Sequence, residues 1–259
     1  MAKKISVVLL SWNAQAYLKP CIDSLLASIK TLDAEVIVVD NGSTDDSLAI
    51  LESYRTSGIQ FIKNSRNFGV AKARNQALKL ASGEFVLILD IDTVVNQQAI
   101  LGLIHYMEKH IDVGLCACKL VSSGGEVQYS CRKYPSIRYK IVNLLASNNP
   151  NLKINKTQFY IDQIYKENPI EVDYVIGACQ LIRRETLNDV GLLDEQIFYG
   201  PEDADFCLRV HQAEWKVVYI PTLRIIHYYQ QITRSKWWSA LSRKHLCALL
   251  YFFWKHKRI

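Results

Sequence analysis

The sequence predicts an α/β fold, a doubly wound parallel sheet flanked by helices. Three observations lead there. Short β-branched and aromatic runs recur at Val7–Leu10, Glu35–Val39 and Phe85–Leu89, each followed at once by polar residues. Segments with helical spacing alternate with these runs, and the connections between them are short. A run apolar at successive positions is buried on both faces, as a strand of a parallel sheet is. The polar stops are Ser11-Trp12-Asn13, Asp40-Asn41-Gly42-Ser43 and Asp90-Ile91-Asp92. In open α/β sheets, ligands bind outside the carboxyl ends of strands, so these three stops should share one functional rim.

After the strand at Val7–Leu10, residues 14–30 place Leu18, Ile22, Leu25, Leu26 and Ile29 on one helical face. The strand at Glu35–Val39 is followed by Ser43 or Thr44, either of which can cap a helix with Asp45 and Asp46 in its first turn. A short strand near Ile59–Ile62 and a helix from about Gly69 to Leu80 lead to the strand that ends at Asp90. Another strand is expected at about Val113–Leu120. The stretch from Ser122 to Glu171 is polar and weakly patterned. Tyr174–Ile182 reads as one strand entering the core, and Arg183–Thr186 begins a short helix that stops at Gly191. Pro201 can open a further helix, and Trp215–Ile220 with Leu223–Ile226 complete the pattern.

The 259 residues suffice for a sizeable core, and no repeat or low-complexity linker divides them. Seven scattered cysteines, without paired metal spacing, suggest a reduced cytosolic setting. Cys116 and Cys118 read as core residues. Val7–Leu10 is too short for the apolar core of a signal peptide, so no export is expected. Charge is uneven. From residue 231 onward there are seven Lys or Arg and no acid, while the remainder carries 24 basic against 25 acidic side chains. That tail also holds a nine-residue apolar run, Leu246–Trp254, far short of the ~20 residues a membrane span requires. Basic and aromatic residues together fit an amphipathic helix lying on an anionic membrane. The alternative is a helix docked on the protein's own core with a basic outer face. The body lacks a basic bias, which disfavours nucleic acid as a partner.

The acids carry the chemistry. Asp90 and Asp92, two apart at a strand end, repel each other unless a cation sits between them. A hard divalent ion such as Mg²⁺ or Mn²⁺ would relieve that, sharing its other positions with phosphate oxygens and water. The bland alternative is a solvated acidic loop. Glu202, Asp203 and Asp205 fall in the first turns of the helix opened by Pro201, where acids stabilise the helix whatever else they do. A carboxylate there can also be held ready to accept a proton. His227 closes the run Leu223–Ile226 and is either a satisfied histidine or a metal ligand.

Four motifs occur in order: Val38-Val-Asp-Asn-Gly-Ser-Thr-Asp45, Asn67-Phe-Gly69 with Ala73-Arg-Asn75, Leu89-Asp-Ile-Asp92, and Gly200-Pro-Glu-Asp-Ala-Asp-Phe-Cys-Leu-Arg209. Together they resemble the family 2 glycosyltransferases, whose GT-A fold is a Rossmann-like, mostly parallel mixed sheet flanked by helices, and in particular their bacterial rhamnosyltransferase-like branch. The resemblance covers about residues 5–230. It implies a nucleoside-diphosphate-sugar donor, a divalent metal, inversion at the anomeric carbon and an acceptor hydroxyl on a glycan or lipid-linked precursor of a surface polysaccharide. On that reading residues 1–120 bind the donor and 121–230 bind the acceptor; residues 231–259 lie beyond the match, and it is their basic, aromatic composition that points to a helical tail at the inner face of the cytoplasmic membrane. Asp40 would accept a hydrogen bond from base or ribose, with Ser11, Asn13, Asn41 and Asn67 on the same nucleotide side. Arg74 would contact base or diphosphate, unless it is only a surface arginine. Asp90 would hold ribose or bound water. Asp92, and by analogy His227, would bind the metal. Asp203 would be the base, with Glu202 orienting the acceptor or raising the base's pKa, and Asp205 structural.

Rival readings are a nucleotidyltransferase and a non-catalytic sugar-nucleotide sensor or scaffold. The first would carry a Gly-rich basic loop where Ser11-Trp12-Asn13 stands, and the second would have shed Asp90, Asp92 or Asp203. The G-x-G-x-x-G of a dinucleotide oxidoreductase is absent.

Overall fold

The computed structural model describes residues 3–136, 165–228 and 240–256. Its first half alternates strands and helices: β1 (Ile5–Ser11), α1 (Gln15–Ile29), β2 (Ala34–Asp40), α2 (Ser47–Glu52), β3 (Gln60–Lys63), α3 (Val70–Leu80) and β4 (Phe85–Asp90). There follow β5 (Thr93–Val94), α4 (Gln97–Lys109), β6 (Val113–Val121), β7 (Val127–Gln128) and β8 (Cys131–Arg132). The second half holds β9 (Ile170–Glu171), β10 (Tyr174–Val175), β11 (Cys179–Arg183), α5 (Arg184–Val190), α6 (Glu202–Gln212), β12 (Lys216–His227) and α7 (Ala240–Lys255).

One sheet runs in the order β3-β2-β1-β4-β11-β6-β12-β5. The β3-β2-β1-β4 part is parallel, β11 inserts antiparallel between β4 and β6, and β12 returns parallel to β6. Period-two alternation divides the strand residues between two cores. Val7, Leu9, Phe85, Leu87 and Leu89 face α1 and α4, meeting Leu18, Ile22, Leu25, Leu103 and Met107. Val8, Ile37, Val39, Val86 and Ile88 face the other way, onto Ala73 and Ala77 of α3 and Phe206 and Val210 of α6. Both faces of β1 and β4 are therefore dry, which is why their sequences are apolar throughout.

Several expectations need correction. α2 begins only at Ser47, and neither Ser43 nor Thr44 caps it. Ser43 is bound to Asp40 instead, and Asp45 accepts from the backbone N–H groups of Ser47 and Gln15 at 3.1 and 3.2 Å. Tyr174–Ile182 is two strands, because the chain turns at Ile176–Ala178, leaving β10 paired with β8 and β11 in the main sheet. α4 lies where no element was expected. Its signal was nevertheless present: Asn96 accepts from Ala99 N at 2.9 Å as an N-cap, and Ile100, Leu103, Ile104 and Met107 follow at helical spacing.

The C-terminal helix α7 docks on the core, burying Ala248, Leu249 and Phe252. Full burial of a phenylalanine contributes about 1.5–3 kcal/mol. Lys255 Nζ reaches Asp194 and Asp205 at 2.7 Å each, and His256 Nε2 reaches Asp205 at 2.8 Å. Asp205, wholly buried, is also bound by Arg209 at 2.9 Å. Trp237 and Trp238 of the expected tail lie outside the described residues. No helix among the described residues is long and apolar enough to cross a membrane, and all seven cysteines are free, six of them buried.

Candidate active site

Strand register sets the rim. β1 pairs in parallel with β2 and β4, which aligns Ser11 with Asp40 and Leu10 with Asp90. Beyond Asp90 the chain makes a short turn into β5, whose antiparallel pairing with β12 sets His227 opposite Thr93. Tyr228 N donates to Asp92 O at 2.8 Å and fixes the join. Asp90, Asp92 and His227, from two distant parts of the chain, thus offer ligand atoms all within 4.8 Å of one another. His227 Nε2 lies 3.4 Å from Asp92 Oδ1.

This donor set suits a divalent ion. His227 Nδ1 is 2.7 Å from Gln128 Oε1, and Gln128 Nε2 donates to His227 O at 2.7 Å. A proton held on Nδ1 turns the Nε2 lone pair toward the carboxylates, as an imidazole ligand requires. Burial alone would lower His227, but the adjacent Asp92 and then Asp90 raise it above its ordinary value. Burial raises the Asp90 carboxyl, Arg74 opposes that, and Asp92 adds to it.

Arg74 is buried, not a surface arginine. Its guanidinium donates to Asp90 and, at 2.9 Å, to Gly177 O. A Cβ on Gly177 would come within 2.5 Å of Arg74 Nη1, so the glycine makes room for this cation. The next acids stand across the same pocket. Gly177 N donates to Asp203 Oδ2 at 3.3 Å, Ala204 N to Asp203 Oδ1 at 2.7 Å, and Gly200 N to Glu202 Oε2 at 2.7 Å. Burial is the main cause that pushes Asp203 up to about 6 and Glu202 up to about 8, the latter helped by Asp203. Two neighbouring carboxyls that resist ionising together can hold one proton between them near neutrality.

The pocket, about 430 Å³, is lined by Asp90, Asp92 and His227 on one side and Glu202 and Asp203 on the other, with Arg74 between. The remaining expected residues are placed differently. Asp40 is buried at the end of β2 and accepts from Ser43 N at 3.2 Å. Ser11 is buried, and its Oγ has no hydrogen-bond partner among the described residues. Asn13, at φ 49°, accepts from Thr44 N at 2.8 Å. Asn41 Nδ2 donates to Asn67 Oδ1 at 3.1 Å, while Asn41 Oδ1 accepts from Asn64 Nδ2 and Phe68 N at 3.0 and 3.1 Å. Asn41 and Asn67 therefore tie the 64–69 loop to β2, outside the pocket that holds the acids. Two pocket residues escaped the sequence reading. Arg132 ends β8 inside the weakly patterned stretch. His245 arrives on α7, with Nδ1 3.3 Å from Tyr199 O. Gly200, at φ 129°, accepts this approach because a Cβ there would sit 2.0 Å from His245 Nδ1. No local sequence signal marks either side chain.

Comparison with known proteins agrees with this geometry. The chain is 26% identical over 251 residues to rhamnosyltransferase WbbL of Escherichia coli, covering 93% of this chain and 89% of that protein. It is 24% identical to the N-acetylglucosaminyl-diphospho-decaprenol L-rhamnosyltransferase of Mycobacterium tuberculosis, covering 92% and 81% of the two. Among solved structures, the mannosyltransferase PcManGT of Pyrobaculum calidifontis, in complex with GDP-Man and Mn²⁺, superposes with a TM-score of 0.65 at 17% identity, over all of this chain and 65% of that one. The shared architecture is the GT-A fold. The model of the family "Glycosyl transferase family 2" matches residues 6–191, and the chain belongs to that family.

Proposed function

We propose that this glycosyltransferase is metal-dependent and inverting, moving a sugar from a nucleoside diphosphate to a hydroxyl of a glycan or lipid-linked acceptor during surface-polysaccharide synthesis. The observation that carries this reading is the single pocket in which Asp90, Asp92 and His227 face Glu202 and Asp203. Asp92 and His227 hold Mg²⁺ or Mn²⁺, with Asp90, clamped by Arg74, on ribose or metal-bound water. Bound there, the ion offsets the charge that develops on the departing diphosphate. Asp203 takes the proton from the acceptor hydroxyl as it attacks, and Glu202 orients that acceptor. With a good leaving group on the donor, one base is enough. Asp40 and the orphaned Ser11 hydroxyl serve the nucleotide. Residues 1–120 act as the donor half, and 121–230 as the acceptor half. Two relatives named as rhamnosyltransferases make rhamnose the first donor sugar to test.

The setting we propose is the inner face of the cytoplasmic membrane. On α7, Leu246, Leu250 and Trp254 are 58%, 62% and 64% exposed and lie four residues apart, on one outward face. Lys and Arg border them, the composition of an interfacial helix. Core docking and membrane contact therefore use different faces of one helix.

The test is a donor screen by mass spectrometry, following nucleoside diphosphate release with and without Mn²⁺ or Mg²⁺. Release that needs both a donor and the ion supports the reading. Turnover indifferent to chelation would end the metal-dependent mechanism. Pelleting with phosphatidylglycerol vesicles should weaken when Leu246, Leu250 and Trp254 are all changed to Gln, and unchanged pelleting would remove the membrane contact.

A further inference from the structure

A second cavity lies beside the catalytic pocket. Between α7 and residues 196–198 runs a groove of about 510 Å³ with Phe198, Ala248 and Tyr251 in its walls and Arg243, Lys244 and Cys247 along it. Its size falls within the range of pockets that take small organic ligands. Lys244 Nζ sits 3.4 Å from the Phe198 ring centroid, so cation and apolar wall meet at one point. Arg243, Lys244 and Cys247 are exposed, and the sequence from residue 231 onward supplies no acid to neutralise these cations. An apolar slot with two cations at its edge complements a ligand that joins a hydrocarbon chain to an anionic group. Guanidinium and ammonium groups recognise phosphate oxygens well.

Residues consecutive in sequence line the groove and the catalytic pocket on both walls. Phe198 lines the groove, and the next residues, Tyr199 and Gly200, line the pocket. Arg243 and Lys244 line the groove, and the next residue, His245, lines the pocket. A molecule lying along α7 with its phosphate at Arg243 and Lys244 would extend its far end past His245 toward Asp203.

We propose that this groove is the binding site for the lipid phosphate portion of an amphiphilic acceptor, holding one hydrocarbon chain against Phe198, Ala248 and Tyr251 and its phosphate against Arg243 and Lys244. The proposal rests on the lipid-linked acceptor of the function proposed above and assigns it a place on the protein. α7 is then a substrate-binding element as well as a docked helix. His245, at the junction, is where the acceptor's sugar enters the pocket.

Cys247 reports on the groove, because it is the one exposed cysteine of the seven. The experiment follows the rate at which a thiol reagent labels Cys247 in the full chain, with peptide mapping, as dodecyl phosphate is added below its micelle-forming concentration. Saturable protection is expected, with dodecyl maltoside and inorganic phosphate each at least about tenfold less effective. In the double variant Arg243→Gln, Lys244→Gln, the half-protecting concentration should rise about tenfold. Four results would overturn the proposal. They are no protection, equal protection by the uncharged amphiphile, full protection in the double variant, or a Cys247 already unreactive because the chain covers its own groove. Protection by phosphatidylglycerol vesicles but not by monomeric dodecyl phosphate would overturn it too, in favour of a bilayer surface. Mn²⁺ binding, measured on the same samples, reports separately on the metal site: its loss would count against the catalytic reading and leave the groove result standing.

Discussion

The two sides of the catalytic pocket are built in contrasting ways. Asp90, Asp92 and His227 sit at strand ends, positioned by ladders whose register is fixed along β1, β4 and β12. Glu202 and Asp203 sit at the start of a helix, positioned by Gly177, Gly200 and a C-terminal segment that packs alongside. The strand side is locked by long-range backbone pairing. The helix side rests on side-chain packing and on a few single backbone N–H groups. A metal site needs ligand atoms held to a few tenths of an ångström, and a sheet supplies that. An acceptor site must admit and release a bulky partner, and a helix start beside a separable element suits that task better.

The largest expected effect tests the helix side alone. Asp203→Asn should lower sugar transfer by about 10²–10⁴-fold while leaving donor binding intact, since general-base catalysis is worth that much. Transfer at the wild-type rate would show that the base lies elsewhere. On the strand side, Asp92→Asn should weaken Mn²⁺ binding by about a hundredfold or more in a titration without donor, because it removes a charged ligand from the site. A twofold change would dissolve the contrast between the two sides. Gln128→Leu touches no ligand atom of the ion, yet it frees the His227 ring to rotate. A loss of about tenfold in Mn²⁺ affinity is expected, at the lower end for such outer partners.

The smallest effect separates the sides by pH. At saturating Mn²⁺ the His227 proton is already displaced, so the acid limb of the rate should report the helix side. Asp203 must be ionised to accept a proton, and its carboxyl is pushed up to about 6. Transfer should therefore rise with pH and level off above about 6, falling about tenfold per unit below it. At limiting Mn²⁺ a second dependence should appear. His227 is raised above its ordinary value, and ion and proton compete for Nε2, so apparent metal affinity should increase as pH climbs through the neutral range. Acid limbs that coincide at both metal concentrations would argue that the ion does not engage His227.

The same contrast explains what the sequence disclosed. Apolar runs that stop at Ser11, Asp40 and Asp90 announce strand ends, because burial on both faces leaves little freedom in composition. Asp92 and the acids after Pro201 were legible for the same local reason. From its own neighbourhood His227 reads as a polar residue ending a run, and only the family analogy favours ligation, since its approach to Asp92 depends on a two-residue pairing no local pattern encodes. Arg74 looked like one more helix cation, and its burial against Asp90 arises from where α3 crosses the sheet. Asn41 and Asn67 sit in family-like motifs but spend their amides holding a loop, a distinction that spacing cannot draw. Nothing in the sequence around His245 signals a pocket, since α7 brings it there from the far end of the chain. α4 differs from these, as its cap and periodicity are plain in the residues themselves.

Asp205 has a practical consequence for anyone who shortens this protein. Two of the three side chains that bond to its wholly buried carboxyl, Lys255 and His256, come from the C-terminal segment. Cutting away the tail to ask whether it anchors the enzyme would also strip countercharge from beneath the helix that bears Asp203, and an uncompensated buried charge is strongly destabilising. An inactive truncation would then confuse lost attachment with a disturbed interior. Point changes confined to the outward side of that helix avoid the confusion, and an affinity tag belongs at the other terminus.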